Sequence, residues 1–306
     1  MLRLLLALSA LAVAAAAQAP DPPPIRAEDH RVARIGYRLA ANGAHFCPDP
    51  YPLTGLILHH LAEYEASDRA TARTRFGLER GPGVLAVVEN SPAAEAGLAP
   101  GDILLTADGR AFTSPASIAN QADAKRRRIG IEDSERRLEA ALGDGSAALT
   151  VLRGGADLRI ALGSAPGCPA RVRLARSGQM NAFANRGYAI VTTALLGFAR
   201  SDDEVAIILG HEMAHVILGH PEKPGKRALV RANEEAADRL GLRLAWAAGY
   251  NLAAAIPFWR RYWARIGPRL FSAHPGHDAR ERIVAETISD LGAQRPELGE
   301  GALGER

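Results

Sequence analysis

Two histidines four residues apart, with a glutamate directly after the first, stand at His211-Glu212-Met213-Ala214-His215, an H-E-x-x-H pattern. On a helix, residues four apart lie one turn above each other on one face, so the two imidazoles can share one zinc ion. Glu212 can then reach a water on that metal without being a ligand itself, the position of a general base in a zinc peptidase. A catalytic zinc needs a third protein ligand and an open coordination position. The stretch Arg231-Ala232-Asn233-Glu234-Glu235-Ala236-Ala237-Asp238 offers Glu234 as that ligand, and Asp238, four residues later, can accept the free N–H of a ligand histidine. The chemistry these residues predict is hydrolysis by zinc-activated water, with one ion per chain.

The element that must carry the first pair is a helix over Ser201 to about Leu218. Ser201 and Glu204 are spaced as a capping box, and Asp202 and Asp203 place negative charge at the positive end of the helix dipole. Val205, Ile208, Leu209, Val216 and Ile217 supply the buried face, and Gly219 before His220-Pro221 supplies the stop. Beyond Asp238 the second helix runs through Leu244 and Trp246 to Gly249. Asn251 caps a third, in which Trp259, Tyr262 and Trp263 read as core and Pro257 marks a kink or the first turn. Ahead of the motif, Val172–Leu174 and Gln179–Ala184 read as short strands, turned at Asn185-Arg186-Gly187 into Tyr188–Thr193.

These stretches, with Asn181-Ala182-Phe183-Ala184 and Ile190-Val191-Thr192-Thr193, resemble the M48 family of metallopeptidases from Cys168 to about Leu291, with a weaker echo before residue 70. The resemblance implies that His211, His215 and Glu234 are the zinc ligands, that Glu212 is the base and that Glu235 is not a ligand. It also implies that Asn181, Ala182, Phe183 and Ala184 form an edge that receives the substrate as an added antiparallel strand, reading backbone rather than sequence. The expected substrates are therefore unfolded polypeptides. His274, in Ser272-Ala273-His274-Pro275, matches a histidine near the metal in that family, either stabilising the oxyanion or acting as a latch-like fourth ligand. The arginine that follows it there corresponds to Arg280 or Arg282. The stretch between His215 and Glu234 is shorter than in the membrane-embedded and plug-bearing members.

Residues from about Thr74 to Gly163 change character, to short apolar runs punctuated by glycine and proline. Gly83–Val88, Ile103–Leu105, Ala147–Leu152 and Leu158–Leu162 read as strands, with a hairpin turn at Asp108-Gly109. The run from Ser91 to Ile103, S-P-A-x-x-A-G-L-x-x-G-D-I, resembles a bacterial PDZ domain. The resemblance implies a carboxylate-binding loop at Phe76, Gly77 and Leu78, and C-terminal peptide tails as ligands. Ser117–Gly143 is longer than the usual groove helix and its connections, so an open groove and a packed lid or spacer are both compatible with it.

Composition bounds the remainder. The formal charge is +3, or +2 without Arg3, which gives no reason to expect nucleic acid. The one basic run, Lys125–Arg128, is followed by Glu132, Asp133 and Glu135 and reads as a solvated helix or loop. Met1–Ala19 has Arg3, an apolar run and Ala17-Gln18-Ala19, a secretory signal with its cleavage site; an uncleaved anchor is the alternative. Later residues never reach a membrane-spanning length. The two cysteines, Cys47 and Cys168, flank the inserted stretch and suit one disulfide in an oxidising compartment, against two unpaired buried thiols. His30, His45, His59 and His60 match no ligand template and read as core or surface residues.

The sequence therefore predicts an α+β protein: a mainly helical, gluzincin-like peptidase domain with a short edge-stranded sheet, interrupted by a β-rich PDZ domain. The expected divisions are a signal peptide over 1–19, peptidase residues over 20–73, PDZ over 74–163 and peptidase over 164–306. The expected function is that of an exported, periplasmic zinc endopeptidase. The alternative is a latched, PDZ-containing chaperone or adaptor whose zinc site does not turn over.

Overall fold

The computed structural model describes residues 27–169, 171–221, 226–267 and 277–294. The predicted signal segment lies outside them, as does His274. In chain order the first half holds helix α1 (Ala27–Asn42), strands β1 (Tyr51–Leu53) and β2 (Leu56–His59), α2 (Arg69–Phe76), β3 (Gly83–Val87), α3 (Pro92–Glu95), β4 (Ile103–Ala107) and β5 (Arg110–Ala111). There follow α4 (Pro115–Ala119), α5 (Ala124–Ala141), β6 (Ser146–Arg153), β7 (Ala156–Gly163), β8 (Ala165–Gly167), β9 (Arg171–Ala175), β10 (Ala182–Asn185) and β11 (Tyr188–Thr192). The last part is helical: α6 (Thr193–Phe198), α7 (Asp202–Ile217), α8 (Arg227–Ala247), α9 (Ala255–Ile266) and α10 (His277–Gln294). Strands concentrate in one half and helices in the other, a mixed α+β architecture.

The chain enters and leaves the β-rich part through a two-stranded pair. β1 pairs antiparallel with β8, Tyr51 opposite Gly167 and Leu53 opposite Ala165, and just outside this pair Cys47 and Cys168 are disulfide-bonded with their Cα atoms 5.5 Å apart. Between the two β1–β8 arms lies a six-stranded sheet in the order β2-β3-β4-β6-β7, with β5 paired to β4. Ala147, Leu149 and Val151 of β6 are buried on alternate positions and pack with Leu58, Val84, Leu104 and Leu162 against Leu138 of α5 and its capping residue Leu142. Asp108 and Gly109 both take positive φ, 48° and 72°, the mirror-image turn that a two-residue hairpin requires. Asp102, in the G-D-I part of the motif, is 1% exposed and accepts two hydrogen bonds of 2.6 Å from Arg153.

The sheet begins at Leu56, upstream of the change in sequence character at Thr74. The reason is that β2 pairs antiparallel with β3 across the whole of α2, a partnership that a four-residue stretch cannot announce. Phe76, Gly77 and Leu78 form the end of α2. Gly77 is its left-handed cap at φ 65°, with its N–H bonded to the Arg73 carbonyl, and Leu78 is fully buried with Leu61, Ala72 and Ile103. The sheet edge beside α5 is therefore β2, and an apolar cavity of about 110 Å³ lies between the two, lined by Leu56, Leu58, Leu138 and Leu142 and walled by α1 and β9.

In the helical part, β9 and β11 run parallel and β10 pairs antiparallel with β11 as the outer strand, in the order β10-β11-β9. Val172, Ala189 and Val191 on one face of this sheet join Ile35 and Leu39 of α1 and Val205, Ile208 and Leu209 of α7 in the main core. Residues 204 to 214 of α7 are all buried, as expected of a helix surrounded by protein. No helix among the described residues is long and apolar enough to cross a membrane.

Candidate metal centre

α7 starts where Ser201 Oγ accepts the Glu204 N–H at 3.4 Å. Glu204 reaches back one residue further than a standard box, accepting the Arg200 N–H at 2.8 Å, and its carboxylate also binds Arg261. The helix thus begins at a fixed point, and ten residues later His211, Glu212 and His215 fall on its inner side. α8 lies against it at backbone distance. A Cβ on Gly210 would sit 2.6 Å from the Gly241 carbonyl oxygen, and one on Gly241 would sit 2.7 Å from the His211 nitrogen. Two glycines therefore let the helices approach closely enough for Glu234 of α8 to reach both histidines.

The three candidate ligands converge. His211 Nε2 and His215 Nε2 are 3.1 Å apart, His211 Nε2 is 3.5 Å from Glu234 Oε2, and His215 Nε2 is 3.5 Å from Glu234 Oε1. A tetrahedral zinc with ligand bonds of about 2.0–2.1 Å has ligand–ligand edges of roughly 3.3 Å. Two imidazoles and one carboxylate at that spacing fit such an ion with one position left for water. These residues form the one group of this kind found among the described residues. The histidines near the N-terminus do not gather into a second: His59 Nδ1 lies 2.9 Å from the Tyr64 hydroxyl, and His30 faces Glu89.

The supports around the ligands are buried and charged. Asp238 Oδ1 lies 2.8 Å from His211 Nδ1, and its other oxygen accepts 2.8 Å from Arg280 Nε. Arg280 also donates to Glu234 Oε2 at 3.0 Å and stacks its guanidinium 4.6 Å from the Trp259 ring centroid. Of the two arginines the sequence left open, Arg280 is 2% exposed and bonded to these carboxylates, whereas Arg282 pairs with Glu286 at the surface. Burial disfavours a charged His211, but the Asp238 and Glu234 carboxylates outweigh it and raise its pKa to about 10. Burial likewise opposes ionisation of Asp238, yet Arg280 and His211 hold it below its usual value. Negative charge is thus concentrated where a cation would sit. Glu235 points away, toward Arg239.

His215 has a support that the sequence did not disclose. Gly219, at φ 63°, folds the chain back over the end of α7; the His220 N–H bonds the His215 carbonyl and His220 Nδ1 comes 2.8 Å from His215 Nδ1. The available signal was the glycine, because a left-handed residue at that position returns the next residue over the last turn. Glu212 is buried, and the Tyr262 phenol has its pKa raised first by its own burial and then by the Glu212 charge. Trp259 belongs to the core and also faces His211, its ring centroid 6.2 Å from the imidazole. Of the predicted substrate edge, Ala182, Phe183 and Ala184 lie in β10, while Asn181 precedes it and exchanges hydrogen bonds with Thr192. Phe183 is one of few exposed large apolar side chains among the described residues.

The fold and site describe a metallopeptidase-type candidate site in the helical part and a β-rich domain ahead of it. Peptidase family M48 matches residues 159–223 and 222–288, and the PDZ domain family matches residues 83–128. The chain carries the M48 peptidase domain together with a PDZ domain. Among solved structures it is similar to the HtrA3 PDZ domain bound to a phage-derived ligand, at 19% identity and TM-score 0.27, over 38% of this chain and 87% of that one. It is also similar to a serine endoprotease from Yersinia pestis at 19% identity and TM-score 0.23, over 38% of this chain and 29% of that one. A third is the HtrA-type protease AlgW with a decapeptide, at 22% identity and TM-score 0.24, over 38% and 30%. The chain thus spans less than a third of the latter two. No curated protein matches it.

Proposed function

We propose that this protein is an exported zinc endopeptidase that cleaves unfolded polypeptides of the cell envelope, with its PDZ domain recruiting or regulating substrate. The observation that carries the proposal is the triangle of His211, His215 and Glu234, whose 3.1–3.5 Å edges suit a tetrahedral zinc. When bound, the zinc supplies Lewis acidity, lowering the pKa of water toward neutrality and polarising the scissile carbonyl. The chain supplies the remainder. Glu212 removes a proton from the attacking water and returns it to the leaving amine. Asp238 and Arg280 hold His211 and Glu234 in place, and the outer edge of β10 receives the substrate backbone as an added strand. His274, outside the described residues, is assigned to the oxyanion or to a latch on the metal. Export rests on the apolar Met1–Ala19 segment with its Ala17-Gln18-Ala19 site.

A peptide tail at the PDZ domain is assigned to the edge of β2, after the Gly55 turn, because this edge borders α5 and the cavity. Phe76–Leu78, the carboxylate-binding loop expected from sequence, cap α2 and pack into the core beside it.

The decisive experiment compares the protein with its Glu212→Gln variant on unfolded casein, with bound zinc quantified in both. One zinc per chain in each, with turnover reduced at least about a hundredfold in the variant, is the expected result. Equal zinc and no turnover in either protein would overturn the reading in favour of a latched chaperone.

A further inference from the structure

The turn between β10 and β11 has an unusual occupant. Arg186 and Gly187 both take positive φ, 50° and 85°, in a two-residue hairpin turn that favours asparagine or aspartate before the glycine. An arginine there is conformationally disfavoured, and the structure shows what holds it. Arg186 Nε and Nη2 donate to the two oxygens of Glu132, each at 2.8 Å. Glu132 belongs to α5, in the other half of the molecule, and is only 2% exposed on a helix rich in solvated charge. A carboxylate so buried and so far in sequence from its partner is a specific, two-pronged contact.

It is not isolated. Glu132, Glu135 and Glu139, three and four residues apart, share one face of α5. Glu135 accepts from Arg173 and Tyr188, and Glu139 accepts from Arg171 at 2.7 Å and from Tyr51. Arg171, Arg173 and Tyr188 occupy one face of the β10-β11-β9 sheet, and both guanidinium groups lie over the Tyr188 ring. The opposite face carries Val172, Ala189 and Val191 into the core shared with α7. The small sheet is therefore gripped between α7, which bears two of the three candidate zinc ligands, and α5, which lines the cavity beside β2.

We propose that α5 positions the substrate-receiving hairpin, with the Glu132–Arg186 pair fixing the β10 edge relative to α7. The PDZ domain then contributes to catalysis by shaping the edge that substrates join, independently of any tail it recruits. Glu132 and Arg186 act here as positioning residues, and the inference rests on β10 being the receiving strand.

Arg186→Asn tests it in the full-length protein, because asparagine suits the turn while removing the two-pronged contact. The expected variant still folds and binds the same zinc, asparagine's fit to the turn offsetting part of the cost of leaving the buried Glu132 without its bidentate partner. Its hairpin amides, residues 182–192, exchange with solvent at least about tenfold faster. KM for unfolded casein rises about tenfold with kcat nearly unchanged, a split that simple loss of stability would not produce. Glu132→Gln should behave alike, and the double variant no worse than either single one. Wild-type exchange and KM in Arg186→Asn, or additive effects in the double variant, would overturn the proposal. If the wild type itself turned over no substrate, the peptidase reading would fail, while the exchange measurement would still decide whether α5 holds the hairpin.

Discussion

Asp238 divides its two oxygens between His211 and Arg280, so one carboxylate sets both the orientation of a ligand and the place of the cation behind it. Changing it to asparagine keeps the shape and removes the charge. Zinc affinity of Asp238→Asn should fall about 10–100-fold, measured by competition with a chelator of known affinity. At this scale the sequence was informative where spacing is local. His211, His215 and Glu212 announce themselves within five residues, and Glu234 with Asp238 within another five. Arg280 and Arg282 are equivalent on paper, because only the packing of α10 on α8 decides which one faces inward. His220 was passed over because its partnership depends on a backbone reversal at Gly219 rather than on a helical interval.

Among the elements, the contact of α7 with α8 is the most exacting. Neither helix can carry a side chain where they meet, since Gly210 and Gly241 face each other's backbone. Gly241→Ala should force the helices apart, destabilising the fold by about 1–3 kcal/mol and weakening zinc binding more than that loss of stability explains. Thermal unfolding of the metal-free protein beside a zinc titration would separate the two effects. The helix itself was readable, from the Ser201 cap to the Gly219 stop, because caps and apolar periodicity are local. The membership of β2 in the larger sheet was not, because a strand's partner is chosen by long-range packing and β3 lies beyond a complete helix.

For the molecule as a whole, the two halves are joined by buried charge, which makes their union sensitive to acid. Burial opposes ionisation of Glu135, but Arg173 and its neighbours lower its pKa from 4.5 to about 2. Its contribution is therefore complete above about pH 4.5 and is lost as pH falls toward 2. In the metal-free protein, the difference in thermal midpoint between wild type and Glu135→Gln should be full near neutrality and close across that window. The domain order was legible from the punctuation of the sequence, but the interface was not. Lys125–Glu135 reads as a solvated charge run until the arginines of β9 are brought against it.

The bond between Cys47 and Cys168, 121 positions apart, closes a loop around the whole insert. A single backbone cut between the two cysteines would therefore add only one water to the mass of the molecule and leave its assembly unchanged, with both fragments migrating together on a non-reducing gel. Only reductant would reveal two bands. A protease that trims its own insert could in this way remain one particle, and its processing would go unseen in any assay that does not break that bond.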